Sequence, residues 1–291
     1  MRTLLSYTLA FFLVLCTQGC GKKLFSSKAP ATLTQAWASD NVLSTPESVL
    51  FDASRNILYV SNINKNSGDS RDGDGFISIL TPDGKIDRLH WVTGLNDPKG
   101  MALANNILYV ADVDEVVAIS TQTGGILGRY KAENAKFLND VAADNNGNVY
   151  ISDSRNKTIY QLRNGRVTPW IENTENEQPN GLLLENDNRM VVAFFSSGKV
   201  RLLDPETKEF TDFTDKIPSA DGIVRLGNGD YLVSNWNGEV YYVNQQGENW
   251  KLLDTKGDKI NAADIAYSEE TGLLYVPTFY DNRIVAYTVT M

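Results

Sequence analysis

Three observations predict an all-β fold, a six-bladed β-propeller with four-stranded antiparallel blades. One pattern, a polar opening, an apolar run, a turn and a second apolar run ending near a small residue or an Asp, is written six times along the chain. Its period of roughly forty to fifty residues, with several strands per unit, is that of propeller blades. The apolar runs alternate, are rich in β-branched and aromatic residues, and are separated by turn residues, as strands are. Finally, the sixth copy runs out of chain before its fourth strand, while a spare strand-like stretch, TLTQAWAS at residues 32–39, stands near the start. That stretch is expected to complete the last blade, which would close the ring and remove exposed sheet edges.

The six openings are Pro46-Glu47-Ser48-Val49, Pro98-Lys99-Gly100-Met101, Leu138-Asn139-Asp140-Val141, Pro179-Asn180-Gly181-Leu182, Ala220-Asp221-Gly222-Ile223 and Ala263-Asp264-Ile265-Ala266. In blade one, SVLFD, NILYVSN and GFISIL are followed by the turn TPDGK, whose Pro-Asp-Gly run suits tight reversal, and by the outer strand IDRLHWVT. Blade two reads GMALA, ILYVAD, EVVAIS and a strand near residues 128–131; blade three reads DVAAD, NVYISD, TIYQL and RVTPWIE. Blade four reads GLLLE, RMVVAF, KVRLLD and EFTDFT, and blade five reads GIVRL, DYLVSN, EVYYVN and NWKLLD. Blade six supplies DIAYS, LLYVPT and RIVAYTV, with Trp37 of the N-terminal stretch placed as Trp91 and Trp170 are in their outer strands.

Residues 1–19 do not fit this repeat. Arg2 is followed by an apolar run at residues 4–16, too short to span a membrane comfortably, and then by Thr17-Gln18-Gly19-Cys20. The segment resembles a bacterial lipoprotein signal, with Cys20 as the lipidated residue and Thr17 where such signals carry an aliphatic side chain; an ordinary secretory signal is the alternative. Both imply export, and the lipoprotein reading implies a periplasmic or cell-surface protein touching the membrane only through its N-terminal anchor. Cys16 and Cys20 are the only cysteines, so cleavage before Cys20 leaves a domain without an internal disulfide. Residues 20–31 read as a flexible tether and residues 32–291 as the propeller, expected to be a monomer. The net charge of −9 argues against a nucleic-acid partner, which would need a basic stripe.

Equivalent positions of successive blades are related by rotation about the axis. The second residue of each opening, Glu47, Lys99, Asn139, Asn180, Asp221 and Asp264, is therefore expected to point into the tunnel. Glu47, Asn139, Asn180 and Asp221 offer two carboxylates and two amide oxygens, a hard all-oxygen set that suits one divalent cation. Ca²⁺ fits best, because it takes about 6–8 oxygens in flexible geometry, whereas Mg²⁺ demands a tight octahedron. Zinc is disfavoured, since His90 is the only histidine and no cysteine follows Cys20. Asn and Asp at strand openings also make local turns, but different residue types at equivalent positions argue against one shared turn role. Lys99 and Asp264 fill the remaining positions, either as a carbonyl anchor and a base or as charges offsetting one another at the tunnel mouth. Phe194, Phe195, Trp236 and Phe279 follow second strands and either line that mouth or pack between blades. The stretch DSRDGDG at residues 69–75 resembles part of a calcium loop without its downstream Glu, and reads as a mobile acidic insertion overhanging the tunnel.

Four motifs in blade order, PESVLFD with Glu47, FLNDVAAD with Asn139, QPNGLLL with Asn180 and SADGIVRL with Asp221, resemble the senescence-marker-protein/gluconolactonase/regucalcin family. The resemblance covers about residues 40–290. It implies a six-bladed propeller with one catalytic divalent metal held by Glu47, Asn139, Asn180 and Asp221, with Asp221 and Asn139 as catalytic residues and Asp221 as general base. It also implies a small-molecule lactone or ester as substrate. The chain departs from the pattern at Phe137, where regucalcin-like members carry a sugar-acid-binding Arg, and at Ser48-Val49, where they carry Gly-Pro. Two functions stay open: a gluconolactonase-like metal-dependent hydrolase, and a non-catalytic binding propeller pinned by a structural ion.

Overall fold

Alternation of apolar side chains decides how the sheets stack. In the second strand of blade one, Leu58 and Val60 pack toward blade six while Tyr59 between them packs toward blade two. In blade four, Met190, Val192 and Phe194 face blade three, and Val191 and Ala193 face blade five. Strands buried on both faces lose the polar side of the alternation and read as nearly continuous apolar runs. The computed structural model describes residues 28–64, 69–144, 146–187 and 189–291. Within them the apolar core is six wedges, each shared by two neighbouring blades.

From the axis outward, blade one comprises Pro46–Asp52, Ile57–Asn62, Gly75–Leu80 and Ile86–Leu95. Blade two is Pro98–Ala104, Ile107–Asp112, Glu115–Ser120 and Ile126–Lys131; blade three is Leu138–Ala143, Val149–Asp153, Thr158–Arg163 and Arg166–Ile171. Blade four is Pro179–Leu184, Met190–Phe194, Val200–Leu203 and Phe210–Thr214; blade five is Ala220–Arg225, Tyr231–Asn235, Glu239–Val243 and Asn249–Asp254. Blade six has Ala266–Ser268, Leu273–Pro277 and Ile284–Thr290, and its outer strand is Thr32–Ala38 from the N-terminal side. The pairing is antiparallel, from Thr32 opposite Thr290 to Ala38 opposite Val285, with a register slip between Gln35 and Trp37. The expected closure of the ring is therefore observed. The six inner strands touch one another in ring order, which defines the axis.

The outer-strand tryptophans share one job. Trp37, Trp91 and Trp170 pack on Tyr275, Tyr59 and Tyr150, at centroid distances of 5.9, 5.1 and 4.6 Å, each tyrosine lying in the second strand of the same blade. Such tilted aromatic pairs add to the burial of two large side chains.

The signal at 1–19, Cys20 and most of the tether at 20–31 lie outside the described residues. Ala31, the last tether residue, is only 2% exposed and packs in the wedge between blades five and six, so the ordered fold begins one residue earlier than expected. Among the described residues, no helix is long and apolar enough to cross a membrane.

Candidate functional site

Five inner strands open with a register slip: between Pro46 and Ser48, Pro98 and Met101, Leu138 and Val141, Pro179 and Leu182, and Ala220 and Ile223. A β-bulge inserts an unpaired residue and re-aims its side chain. Glu47, Lys99, Asn139, Asn180 and Asp221 lie within these slips. The backbone N–H that follows loses its ladder partner, and in three blades a serine of the second strand accepts it. Ser61 Oγ takes Ser48 N at 3.0 Å, Ser152 Oγ takes Asp140 N at 2.9 Å, and Ser234 Oγ takes Gly222 N at 2.8 Å. The next residue secures the incoming loop: Asn62 Oδ1 accepts Ser44 N at 3.0 Å, and Asp153 accepts Lys136 N at 2.7 Å and Phe137 N at 3.2 Å. These bonds satisfy buried backbone groups and fix the bulges that position the site. The sequence signal was a repeated dipeptide, Ser61-Asn62, Ser152-Asp153 and Ser234-Asn235, which sequence reasoning passed over.

Glu47, Asn139, Asn180 and Asp221 all line one axial cavity of about 340 Å³, together with Lys99, Phe137 and Trp236. All four oxygen-bearing residues are buried, between 2% and 8% exposed. Asn180 donates to Asp221. Glu47 Oε2 and Asn180 Oδ1 are fully buried and accept no hydrogen bond. A buried carboxylate oxygen and a buried amide oxygen without donors are costly in a folded protein. A hard cation would satisfy both, and the donor set is all oxygen, so these residues fit a divalent cation. Among the described residues no three His, Cys, Asp or Glu side chains gather closely enough to form a metal cluster by themselves. The two amides are thus essential to such a set.

Asp264 departs from expectation. It occupies the equivalent place in blade six, but it lines a second axial cavity of about 270 Å³ with Asp140, away from Lys99. The reason is local. The blade-six inner strand is only Ala266–Ser268, and Asp264 is instead held by blade one, with Asp264 N donating to Glu47 O at 3.0 Å and Val49 N donating to Asp264 O at 3.2 Å. Its Oδ2 accepts Ser48 Oγ at 2.5 Å. It therefore does not offset Lys99. Lys99, 1% exposed, donates to the Asp97 carbonyl at 3.1 Å and lies 4.4 Å from the Phe137 ring centroid, with Glu47 as the first carboxylate that favours its charge.

Asp140 was not anticipated. It sits one residue past the bulged Asn139, beside Gly100, and its two oxygens accept Val141 N at 2.7 Å and Leu182 N at 2.6 Å. Inner strands crowd here: a Cβ on Gly181 would stand 2.0 Å from Asp221 O, and one on Gly222 would stand 2.4 Å from Asp264 Oδ1.

Four carboxyls thus share the axis with one buried ammonium. Burial pushes Glu47, Asp140 and Asp221 well above the usual carboxylate range; Asp221 adds to the shift at Glu47, and Asp264 adds to it at Asp140 and Asp221. Lys99 pulls Glu47 partly back. Asp264, which keeps some contact with the lower cavity, rises to about 7 through burial, opposed by its bonds to Ser48 and Ile265. Burial also lowers the Lys99 ammonium, against the attraction of Glu47 and Asp97.

The mouth is aromatic. Phe195, Trp236 and Phe279 line the cavity, whereas Phe194 is fully buried between blades three and four and stacks edge-on against Phe210. Arg155, which follows the second strand of blade three, brings its guanidinium 4.5 Å from the Phe137 ring and pairs with Asp69. Arg71 of the same insertion pairs with Asp114 at 3.0 Å, and Ser70 N donates to Asp97. The described part of the insertion thus reaches blades two and three at the rim. His90 is exposed on the outer strand of blade one, against Phe76.

No protein-family model matches the sequence, and no curated protein matches it. Among solved structures, the chain is similar to virginiamycin B lyase from Staphylococcus aureus (TM-score 0.63, 13% identity, 89% of this chain and 99% of that one). It is also similar to a streptogramin B lyase (0.66, 13%, 89% and 98%) and to a candidate gluconolactonase (0.65, 14%, 90% and 93%). At these identities the likeness is one of fold.

Proposed function

We propose that this propeller is a divalent-cation-dependent hydrolase of lactones or related esters, with Ca²⁺ as the cation, and that it is exported and tethered through Cys20. The observation that carries the proposal is the convergence of Glu47, Asn139, Asn180 and Asp221 on one cavity, with a buried carboxylate oxygen and a buried amide oxygen left without donors. A cation held there supplies a Lewis acid for the substrate carbonyl. The chain's own groups do the rest. Water adds to the carbonyl carbon, the bond to the ring oxygen opens, and the proton lost by water reaches the leaving alkoxide, giving a hydroxy acid. Asp221 is the proton carrier, and Asn139 positions the reacting carbonyl beside it. The Lys99 ammonium lines the same cavity and stabilises the negative charge that builds on the carbonyl oxygen. Propellers host many chemistries, so fold likeness alone does not select this one. The virginiamycin B lyase neighbour is catalytically inactive once one of its histidines is replaced by alanine. The single histidine here lies outside the cavity, which favours hydrolysis over that protein's chemistry.

A second reading keeps the cation as a structural pin in a binding propeller; the crowding of four carboxyls on the axis favours it. A lactone and aryl-ester panel, assayed before and after chelation and with Ca²⁺ restored, separates the two. The hydrolase reading expects turnover to vanish and return, and Asp221→Ala and Asn180→Ala each to lower kcat/KM by roughly a hundredfold or more in folded protein. Hydrolysis unchanged by chelation sinks the cation's role. A large fall in Tm on chelation with no turnover to lose supports the pin.

A further inference from the structure

We infer that the cavity selects substrates carrying an aromatic or compact apolar substituent and discriminates against polyhydroxylated sugar lactones; this rests on the hydrolase reading above for the reactive end of the ligand. The walls beyond the oxygen set are the reason. Trp236, Phe279 and Tyr280 stand edge-on to one another at centroid distances of 5.8, 6.0 and 4.9 Å, forming an aromatic wall. Phe195, Phe137 and Ile63 line the rest. A sugar ring needs a partner for every hydroxyl it buries, and the remaining polar side chains lining the cavity are few. Ser154 Oγ already donates to Pro179 O at 2.8 Å, and Arg155 is held by Asp69 and the Phe137 face. Among the described residues, Gln178, the Tyr280 hydroxyl at the rim and the Arg155 N–H groups not engaged by Asp69 are what the lining leaves for hydroxyls, too few for a ring that carries one on nearly every carbon. Each hydroxyl buried without a partner weakens binding by roughly tenfold.

The aromatic wall works in the opposite direction. An aryl ring placed against Trp236 and Phe279 gains apolar burial and edge-to-face contact without any polar group to satisfy. The cavity of about 340 Å³ lies at the small end of ligand pockets and holds a bicyclic lactone. Its carbonyl end faces the oxygen set and Lys99, and its aryl end faces Trp236. Phe137 contributes to the same selection: it presents a ring to the cavity, and the two nearby cations, Lys99 and Arg155, lie over that ring.

The test reads binding, not turnover. The full chain in excess Ca²⁺ is titrated with 3-(2-hydroxyphenyl)propionate, the ring-opened form of an aryl lactone, and with gluconate, the ring-opened form of a sugar lactone. Calorimetry gives the affinities, and tryptophan fluorescence reports contact with the aromatic wall. The expected result is an aryl preference of at least tenfold. Trp236→Leu and Phe279→Ala, each checked for an unchanged far-ultraviolet circular dichroism spectrum, are expected to cut that preference at least threefold by weakening the aryl acid alone. Gluconate binding equally or more tightly overturns the inference, as does binding of neither acid or an aryl preference indifferent to both substitutions. Persistence of the preference in a protein that hydrolyses no lactone would remove the hydrolase reading and leave the selectivity standing.

Discussion

Replacing Asp264 by Asn tests the electrostatic account of the axis directly. The Asp264 carboxyl is raised from 3.8 to about 7, chiefly by burial. With its folded value above its unfolded value, this group contributes stability that is full below about pH 4 and is lost as pH rises through about 7. Between about pH 5 and about pH 7 the unfolded chain has released this proton and the folded chain has not. Stability then falls by about 1.4 kcal/mol per pH unit, or about 3 kcal/mol across the window. A carboxamide has no such proton to release, so the Asp264→Asn variant escapes that loss. For a domain of this size 1 kcal/mol moves Tm by roughly 2–4 °C. The gap in Tm between variant and parent, both cation-free, should therefore widen by roughly 6–12 °C from about pH 5 to about pH 8. Scanning calorimetry in chelator across that range makes the measurement. A gap that stays constant or narrows would refute the reasoning, because Asp264 would then be ionised in the folded protein already at the lower pH.

Two further substitutions probe how the site is held. Gly181→Ala forces a Cβ to 2.0 Å from the Asp221 carbonyl, so the blade-four and blade-five openings must separate. A loss of about 2–3 kcal/mol is expected, with loss of Ca²⁺-induced stabilisation in a Tm titration. Gly257→Ala, with open space around its Cβ, is the silent control, and equal effects of the two would remove the crowding argument. Lys99→Met deletes the ammonium that lines the cation cavity beside Glu47 and Asp221. Calorimetric Ca²⁺ affinity near pH 7 should rise by about tenfold, equivalent to about 1.4 kcal/mol, while kcat/KM falls. Weaker Ca²⁺ binding in that variant would mean that Lys99 supports the site instead of opposing the cation.

The blades were legible because their strands are buried on both faces and so carry long apolar runs, from ILYVSN in blade one to LLYVP in blade six. The closing strand was legible for a similar reason: Trp37 repeats the place of Trp91 and Trp170, and all three meet the same kind of tyrosine. Rotational equivalence also brought Glu47, Lys99, Asn139, Asn180 and Asp221 to one cavity, since five blades open with the same bulge. Equivalence in sequence did not extend to Asp264, because its backbone pairs with blade one and the strand behind it is three residues long. Asp140 was missed because its place depends on Gly100 of blade two leaving room beside it and on Leu182 N of blade four donating to it, a property of three blades together. Arg155 reaches the mouth from a loop, a placement that no strand period encodes.

The clasp that completes blade six has a mechanical consequence. Thr32 lies opposite Thr290, so both free ends of the paired strands leave at the same edge of the sheet. Tension applied between the two chain ends loads these hydrogen bonds one after another, as in a zipper, not all together in shear. A protein leashed by its N-terminus and tugged at its C-terminus would surrender this seam at low force and expose the flank of Ile284–Thr290 while the other five sheets were still intact.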